Sequence, residues 1–171
     1  MKYLKQYGLW IAALIAIDQL VKLLIHTFCF DESFTILEEL LRFRPIVNTN
    51  LSWGGNFFAV LRSPILINII NILAILLILA GYSYYRSRVA TAGRWVNLVY
   101  ITGLAGCLCS LIDKLFWGGS LDFVQIPGFF TFDLKDCYLT AAEIIFVVLC
   151  IKHQKEIRAR DFLRYCFKRK T

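Results

Sequence analysis

The 171 residues are 58% hydrophobic and 18% charged, with a mean hydropathy of +0.62, whereas a soluble domain is about half apolar and about a quarter charged. The excess lies in long apolar blocks, which excludes an ordinary water-soluble core and makes lipid the solvent. The net charge of +7 is spread between and after those blocks, a placement that suits anionic lipid headgroups rather than nucleic acid.

The first block, 9–28, just reaches the length of about 20 residues needed to cross a bilayer and contains Asp18, Gln19 and Lys22. Lys2 and Lys5 resemble the basic start of a secretory signal. Three strongly polar residues in mid-block, with no small-x-small cleavage site after them, predict a retained span instead. Segment 30–63 is too long for a tight turn, and its alternation over 43–47 predicts a small β element on the outer leaflet. The second block, 65–84, starts after Pro64, a good first-turn residue, and ends at Tyr82, Tyr84 and Tyr85. The third covers 95–116. The fourth, 137–151, is short and gains a turn at each end, which puts Asp136 at the membrane boundary. The basic tail 152–171, with Ile157, Phe162, Leu163 and Phe167, predicts an interfacial amphipathic helix. The expected fold is thus an all-α membrane protein, one domain over 1–171. It has four transmembrane helices and a small extracytoplasmic β element between the first two.

Orientation follows from loop charge. Lys2 and Lys5 precede the first span, Arg86, Arg88 and Arg94 separate the second and third, and Lys152, Lys155, Arg158, Arg160 and Arg164 follow the fourth. The positive-inside rule places both termini in the cytoplasm, with 30–63 and 117–136 outside. The six cysteines form no CxxC pair and read as small buried hydrophobes rather than metal ligands.

Ionisable groups at membrane depth face a cavity or a partner. Asp18 and Lys22 stand i, i+4 with the acid first, a favourable order on a helix. They are either a structural ion pair or the support of a polar site. Ser110, Asp113 and Lys114 share one face at the outer end of the third span. Asp122 follows the Gly118-Gly119 turn, and Asp133 and Asp136 open the fourth span, Asp133 in the place of an N-cap. Because the third and fourth spans join on the outside, Asp113, Asp122 and Asp136 gather at the outer face. Two carboxylates close together in a low-dielectric site share one proton. Such a pair supplies a base to activate water and an acid for the leaving nitrogen, the chemistry of aspartic peptidases, with neither metal nor covalent nucleophile. No HExxH, GxSxG or catalytic Cys–His arrangement competes.

Over nearly its whole length the chain resembles the lipoprotein signal peptidase (signal peptidase II) family. Asp18-Gln19-Leu20-Val21-Lys22 is similar to the family's D-Q-x-x-K, and Asn48-Thr49-Asn50-Leu51-Ser52-Trp53-Gly54 to N-x-G-x-A-F. The segment from Gly106 to Lys114 resembles G-A-x-G-N-x-x-D-R, Ser120-Leu121-Asp122-Phe123 resembles V-V-D-F, and Phe132-Asp133-Leu134-Lys135-Asp136 resembles F-N-x-A-D. Five motifs in order, each at the right end of the right span, make a specific signal. The resemblance implies Asp122 and Asp136 as the catalytic pair, with Asn48, Ser110, Asp113, Lys114, Asp133, Asp18 and Lys22 lining or bracing the site. It further implies no cofactor and a monomer in the bacterial cytoplasmic membrane. The expected substrates are lipid-modified prolipoprotein signal peptides held among membrane lipids, cleaved before the diacylglyceryl cysteine. Segment 30–63 would be a cradle and flexible cover. The chain departs from the family at Cys109, Ser110, Lys114, Asp133 and Lys135, where Gly, Asn, Arg, Asn and Ala are expected. Lys135 is expected to lower the pKa of Asp136. Glu143, seven residues and about 10 Å deeper along the same helix face, is expected to pair with Lys22 or Lys114. Two other readings compete. One is a catalytically silent relative that binds lipidated peptides or serves as a scaffold, and the other is a small transporter using Asp18, Lys22, Asp113 and Glu143.

Overall fold

Each apolar block becomes a helix in the computed structural model, which describes residues 2–38, 40–49, 63–89, 93–153 and 159–167. They are α1 (Lys2–Phe28), α2 (Pro64–Arg88), α3 (Arg94–Ile112) and α4 (Leu134–Lys152), followed by a short α5 (Ala159–Phe167). Helix α3 runs on as one π-helical turn, Asp113–Trp117, and stops at Gly118, whose φ of 66° suits glycine. Helix α2 starts on a Ser63 cap that accepts from the Leu66 N–H, with Pro64 in the first turn.

Among the described residues, three helices have the length and composition to cross a membrane: Lys5–Phe28, Pro64–Arg88 and Arg94–Trp117. Composition does not extend this to α4. Its 19 residues include Lys135, Asp136, Glu143 and Lys152, so the expected fourth span is more polar than its apolar stretch 137–151 suggests. Large apolar side chains such as Leu9, Trp10, Leu24, Ile65, Leu77 and Ile144 face outward, an arrangement that needs lipid around it.

The β structure is larger than the sequence pattern indicates. Strands β1 (Phe34–Leu37) and β2 (Leu41–Asn48) come from the expected segment, but β3 (Ser120–Ile126) and β4 (Phe130–Phe132) come from the loop before α4. All pair antiparallel in the order β1-β2-β3-β4. Pro127-Gly128 closes the β3–β4 hairpin, with Gly128 at φ 75° and the Phe129 N–H donating to the Ile126 carbonyl, a type II turn. Pro45 cannot donate to the ladder, and the β2–β3 register shifts between Phe43 and Ile46. Beyond the shift, Ile46 lies opposite Asp122 and Asn48 opposite Ser120. Residues 50–62, including 50–54 of the second motif and the expected cover, lie outside the described residues, as do 154–158 and 168–171 of the tail.

Helix α3 is the centre of the packing. Tyr100, Leu104 and Ala105 are buried with Ile11, Tyr82, Tyr85 and Val96, and a second cluster of Ile25, Leu121 and Phe123 seats the sheet on the end of α1. Helix α5 touches α2 through Phe162 and Tyr165, which lie against the Tyr84 ring.

Gly119 brings β3 against β2: a Cβ there would sit 2.8 Å from the Asn48 carbonyl oxygen, a backbone atom with little freedom to move. Gly119→Ala should therefore cost about 1–3 kcal/mol of stability. Gly81→Ala, where a Cβ meets nothing within 4 Å, should be neutral or stabilise by up to about 1 kcal/mol. Thermal unfolding of the two detergent-solubilised variants checks both signs.

Candidate active site

The polar residues of α1 lead into the site. Asp18 and Lys22 form the i, i+4 ion pair at 2.8 Å, both fully buried. The Lys22 ammonium also lies 2.6 Å from Asp113 and 2.8 Å from Asp133. One cation thus joins α1, the end of α3 and the cap of α4. Gln19 donates to Asp18 at 3.0 Å and Asp113 at 3.1 Å, and accepts from the Trp117 indole at 3.1 Å. The other Asp18 oxygen accepts the Lys135 backbone N–H at 3.1 Å, satisfying a donor in the first turn of α4.

Asp133 is the N-cap of α4 and forms a reciprocal capping box with Asp136. The Asp136 N–H donates to Asp133 Oδ1, and the Asp133 N–H donates to Asp136 Oδ2, each at 3.2 Å. Carboxylate oxygens of Asp122, Asp133 and Asp136 lie within 4.8 Å of one another. Acids this close call for a cation, and the Lys135 ammonium stands among them. It is 2.6 Å from Asp133, 3.5 Å from Asp113 and 3.6 Å from each of Asp122 and Asp136. Ser120 Oγ accepts from Lys135 and faces Asp122 at 2.7 Å, with Asp113 and Asp133 each at 3.2 Å. Asn48 Nδ2 donates to Asp122 at 3.0 Å.

Seven ion pairs among the described residues link five carboxyls (Asp18, Asp113, Asp122, Asp133, Asp136) to two ammoniums (Lys22, Lys135). Even with the Lys114 charge close by, carboxyls outnumber ammoniums, and uncompensated negative charge in so dry a place is costly. The burden falls unevenly on the acids at the cavity. Burial raises Asp122 above the usual carboxylate range, against the pull of Lys135. Burial also works on Asp133, but Lys135 and Lys22 outweigh it and hold that acid below its ordinary value. Asp136 precedes the apolar stretch of α4, and burial pushes it up to about 7, with Asp133 and Asp122 adding to the rise. The sequence suggested that Lys135 would lower Asp136. It does pull that way, but burial wins.

Asp136 is nonetheless the most open acid of the cluster, with 39% of its side chain exposed. It opens onto a cavity of about 1610 Å³ that reaches from Ile46 and Phe130 at the sheet to Tyr84 and Phe162 at the far end. The walls are chiefly apolar, with Ile67, Ala74, Ile78 and Leu139 among them.

The site residues expected from sequence thus fall into two sets. Asn48, Ser110, Lys114, Asp122 and Asp136 line the cavity, while Asp18, Lys22, Asp113 and Asp133 lie behind it, at most 1% exposed. Ser110, Asp113 and Lys114 do not act as one face. Asp113 turns inward to Lys22, while Lys114 folds back to donate to the Ser110 carbonyl and hydroxyl. The Glu143 pairing is not found: Glu143 is exposed along the cavity, Lys22 is engaged by three carboxylates, and no ion pair joins Glu143 to Lys114 among the described residues. Ser120 was missed as a site residue, although strand alternation puts it on the same face as Asp122.

The chain has likenesses among known proteins. A family model described as signal peptidase (SPase) II, Peptidase_A8, matches residues 10–152. A solved bacterial membrane enzyme structure, obtained by the in meso method at 2.3 Å resolution, superposes with a TM-score of 0.70 at 20% identity. That match covers 91% of this chain and 93% of the other. A second bacterial membrane enzyme structure, by the same method at 1.9 Å resolution, gives a TM-score of 0.63 at 20% identity over 86% and 94% of the two chains. No curated protein matches significantly. The structural likenesses establish the fold. The family match spans most of the chain, which therefore belongs to the signal peptidase II family as a divergent member.

Proposed function

We propose that this membrane peptidase is an aspartyl endopeptidase that removes the signal peptide from diacylglyceryl-modified prolipoproteins, cleaving before the lipidated cysteine, with Asp122 and Asp136 as the catalytic pair. The observation that carries the reading is the meeting of these two acids at the polar end of a long apolar cavity. Such a cavity suits an apolar peptide helix and acyl chains. In this reading α4 is a fourth crossing, both termini are cytoplasmic and the sheet end lies at the outer face. The arginines and lysines near the other end, Arg86, Arg88, Arg94 and Lys152, support that orientation.

Asp122, which accepts from Asn48 and Ser120, is suited to the ionised role. Asp136, raised to about 7, is suited to hold the proton. Asp122 takes a proton from water as the water oxygen attacks the scissile carbonyl carbon, and Asp136 gives its proton to the carbonyl oxygen. Collapse of the resulting diol breaks the C–N bond: the nitrogen receives the proton held by Asp122, and Asp136 recovers one from the diol. One water is consumed, and the dyad returns to its starting state.

A second reading has one observation in its favour. The Lys135 ammonium lies 3.6 Å from both acids and could hold both ionised and idle, as in a silent relative that binds lipidated peptides. Absence of turnover by the unsubstituted protein, with binding retained, would select that reading.

Asp122→Asn and Asp136→Asn should each lower cleavage of a diacylglyceryl prolipoprotein by roughly 100- to 10,000-fold, with thermal unfolding little changed. Full activity in either variant rejects the pair. Asn48→Ala, which removes a donor to Asp122, should cost roughly tenfold. The raised Asp136 keeps its proton below about pH 7 and loses it above. Cleavage should accordingly decline as pH rises through about 7, and fall again on the acid side where the raised Asp122 gains its own proton, which a pH–rate profile measures.

A further inference from the structure

Lys135 is an unusual group to find at the centre of an acid pair. Its side chain is 5% exposed, and its ammonium is equidistant, at 3.6 Å, from Asp122 on β3 and Asp136 on α4. Its shortest ion pair, 2.6 Å, is with Asp133, whose same oxygen also meets Lys22 at 2.8 Å. The other charged groups around it are Asp113 at the end of α3, 3.5 Å away, Asp18 of α1, which binds its backbone N–H, and Lys114, which donates to Ser110 and lines the same cavity, its charge acting on Lys135, Asp133 and Asp136. Asn48 of β2 meets Asp122 as a neutral donor. An ammonium held there strongly favours the ionised forms of both acids, whereas the Asp133 carboxylate, within 4.8 Å of both, favours their protonated forms. The two opposite charges act on the same pair from nearly the same place.

We propose that Lys135 is the internal counter-ion of the two-aspartate site, a positioning residue whose charge is matched to that of Asp133 so that the two work as one unit. This rests on Asp122 and Asp136 being the reacting pair. The unit explains why the two unusual residues occur together. A lysine without Asp133 would strip the dyad of its proton, and an aspartate without Lys135 would load the dyad with one too many. Together they leave it nearly as it would be with neither. Lys22 holds Asp133 from the other side, which keeps α4 capped when Lys135 is changed.

The test compares four purified proteins: unsubstituted, Lys135→Met, Asp133→Asn, and the double variant. Each is assayed for cleavage of a diacylglyceryl-modified peptide across about pH 5 to 9, and its aspartate carboxyls are titrated by 13C NMR without substrate. Lys135→Met should move the dyad titration and the alkaline limb of cleavage upward by about one pH unit or more. Asp133→Asn should move both downward, and the double variant should return close to the unsubstituted protein. Shifts of the same sign in the two single variants, or unmoved titrations in both, overturn the proposal. If Lys135→Met fails to fold, Asp133→Asn and the double variant still decide, because the second change must reverse the shift of the first. If the unsubstituted protein cleaves nothing, the peptidase reading falls, and the titrations still decide whether the two charges are matched.

Discussion

The fully buried ammonium of Lys22, within 2.8 Å of Asp18, Asp113 and Asp133, is the constraint on which the arrangement depends. An unpaired ammonium in this environment would be untenable. Its three partners belong to α1, to the turn that ends α3 and to the residue that caps α4. Satisfying one charge therefore brings three separate parts of the chain together and sets their depth relative to one another. Apolar packing in a bilayer drives helix association only weakly, since lipid is as apolar as leucine. Polar contacts of this kind supply register that apolar packing alone would leave loose.

The sheet adds the remaining piece. Asp122 is on β3 and Asn48 is on β2, and the antiparallel pairing places Asn48 opposite Ser120. A loop between α1 and α2 is thereby tied to a loop between α3 and α4. Close approach at Gly119 is what permits this, because a larger residue would meet the Asn48 carbonyl. The acids that face the cavity are thus held by backbone hydrogen bonds on one side and by Lys22 through Asp133 on the other. Such double support suits groups that must stay close despite their mutual repulsion.

Much of this was legible in the sequence, and the parts that were not have physical reasons. Block lengths located the four long helices, and the i, i+4 spacing of Asp18 and Lys22 was a real contact. Asp133 was readable as a cap because an acid directly before an apolar run commonly serves that way. Strands β3 and β4 were overlooked although Gly118-Gly119 and Pro127-Gly128 bracket them, since a three-residue strand such as Phe130–Phe132 hardly shows periodicity. Lys135 was noticed only as a neighbour of Asp136 in sequence. That its side chain would fold inward between both acids depends on tertiary contacts with Ser120 and Asp133. The pairing expected for Glu143 failed because helix periodicity gives a face but not a partner, and both candidate lysines were already engaged.

The capping box of α4 also has a stereochemical consequence. Asp136 Oδ2 accepts the Asp133 N–H, and an oxygen occupied in that way is a poor place for a proton. The Oδ1 atom, turned toward Lys135 at 3.6 Å, is the one left to carry it. A contact whose ordinary purpose is to start a helix thus makes the two oxygens of one carboxyl inequivalent, one anchored to the backbone and the other free to exchange hydrogen. In the proposed reaction, the direction from which Asp136 delivers its proton is consequently inherited from the axis of α4.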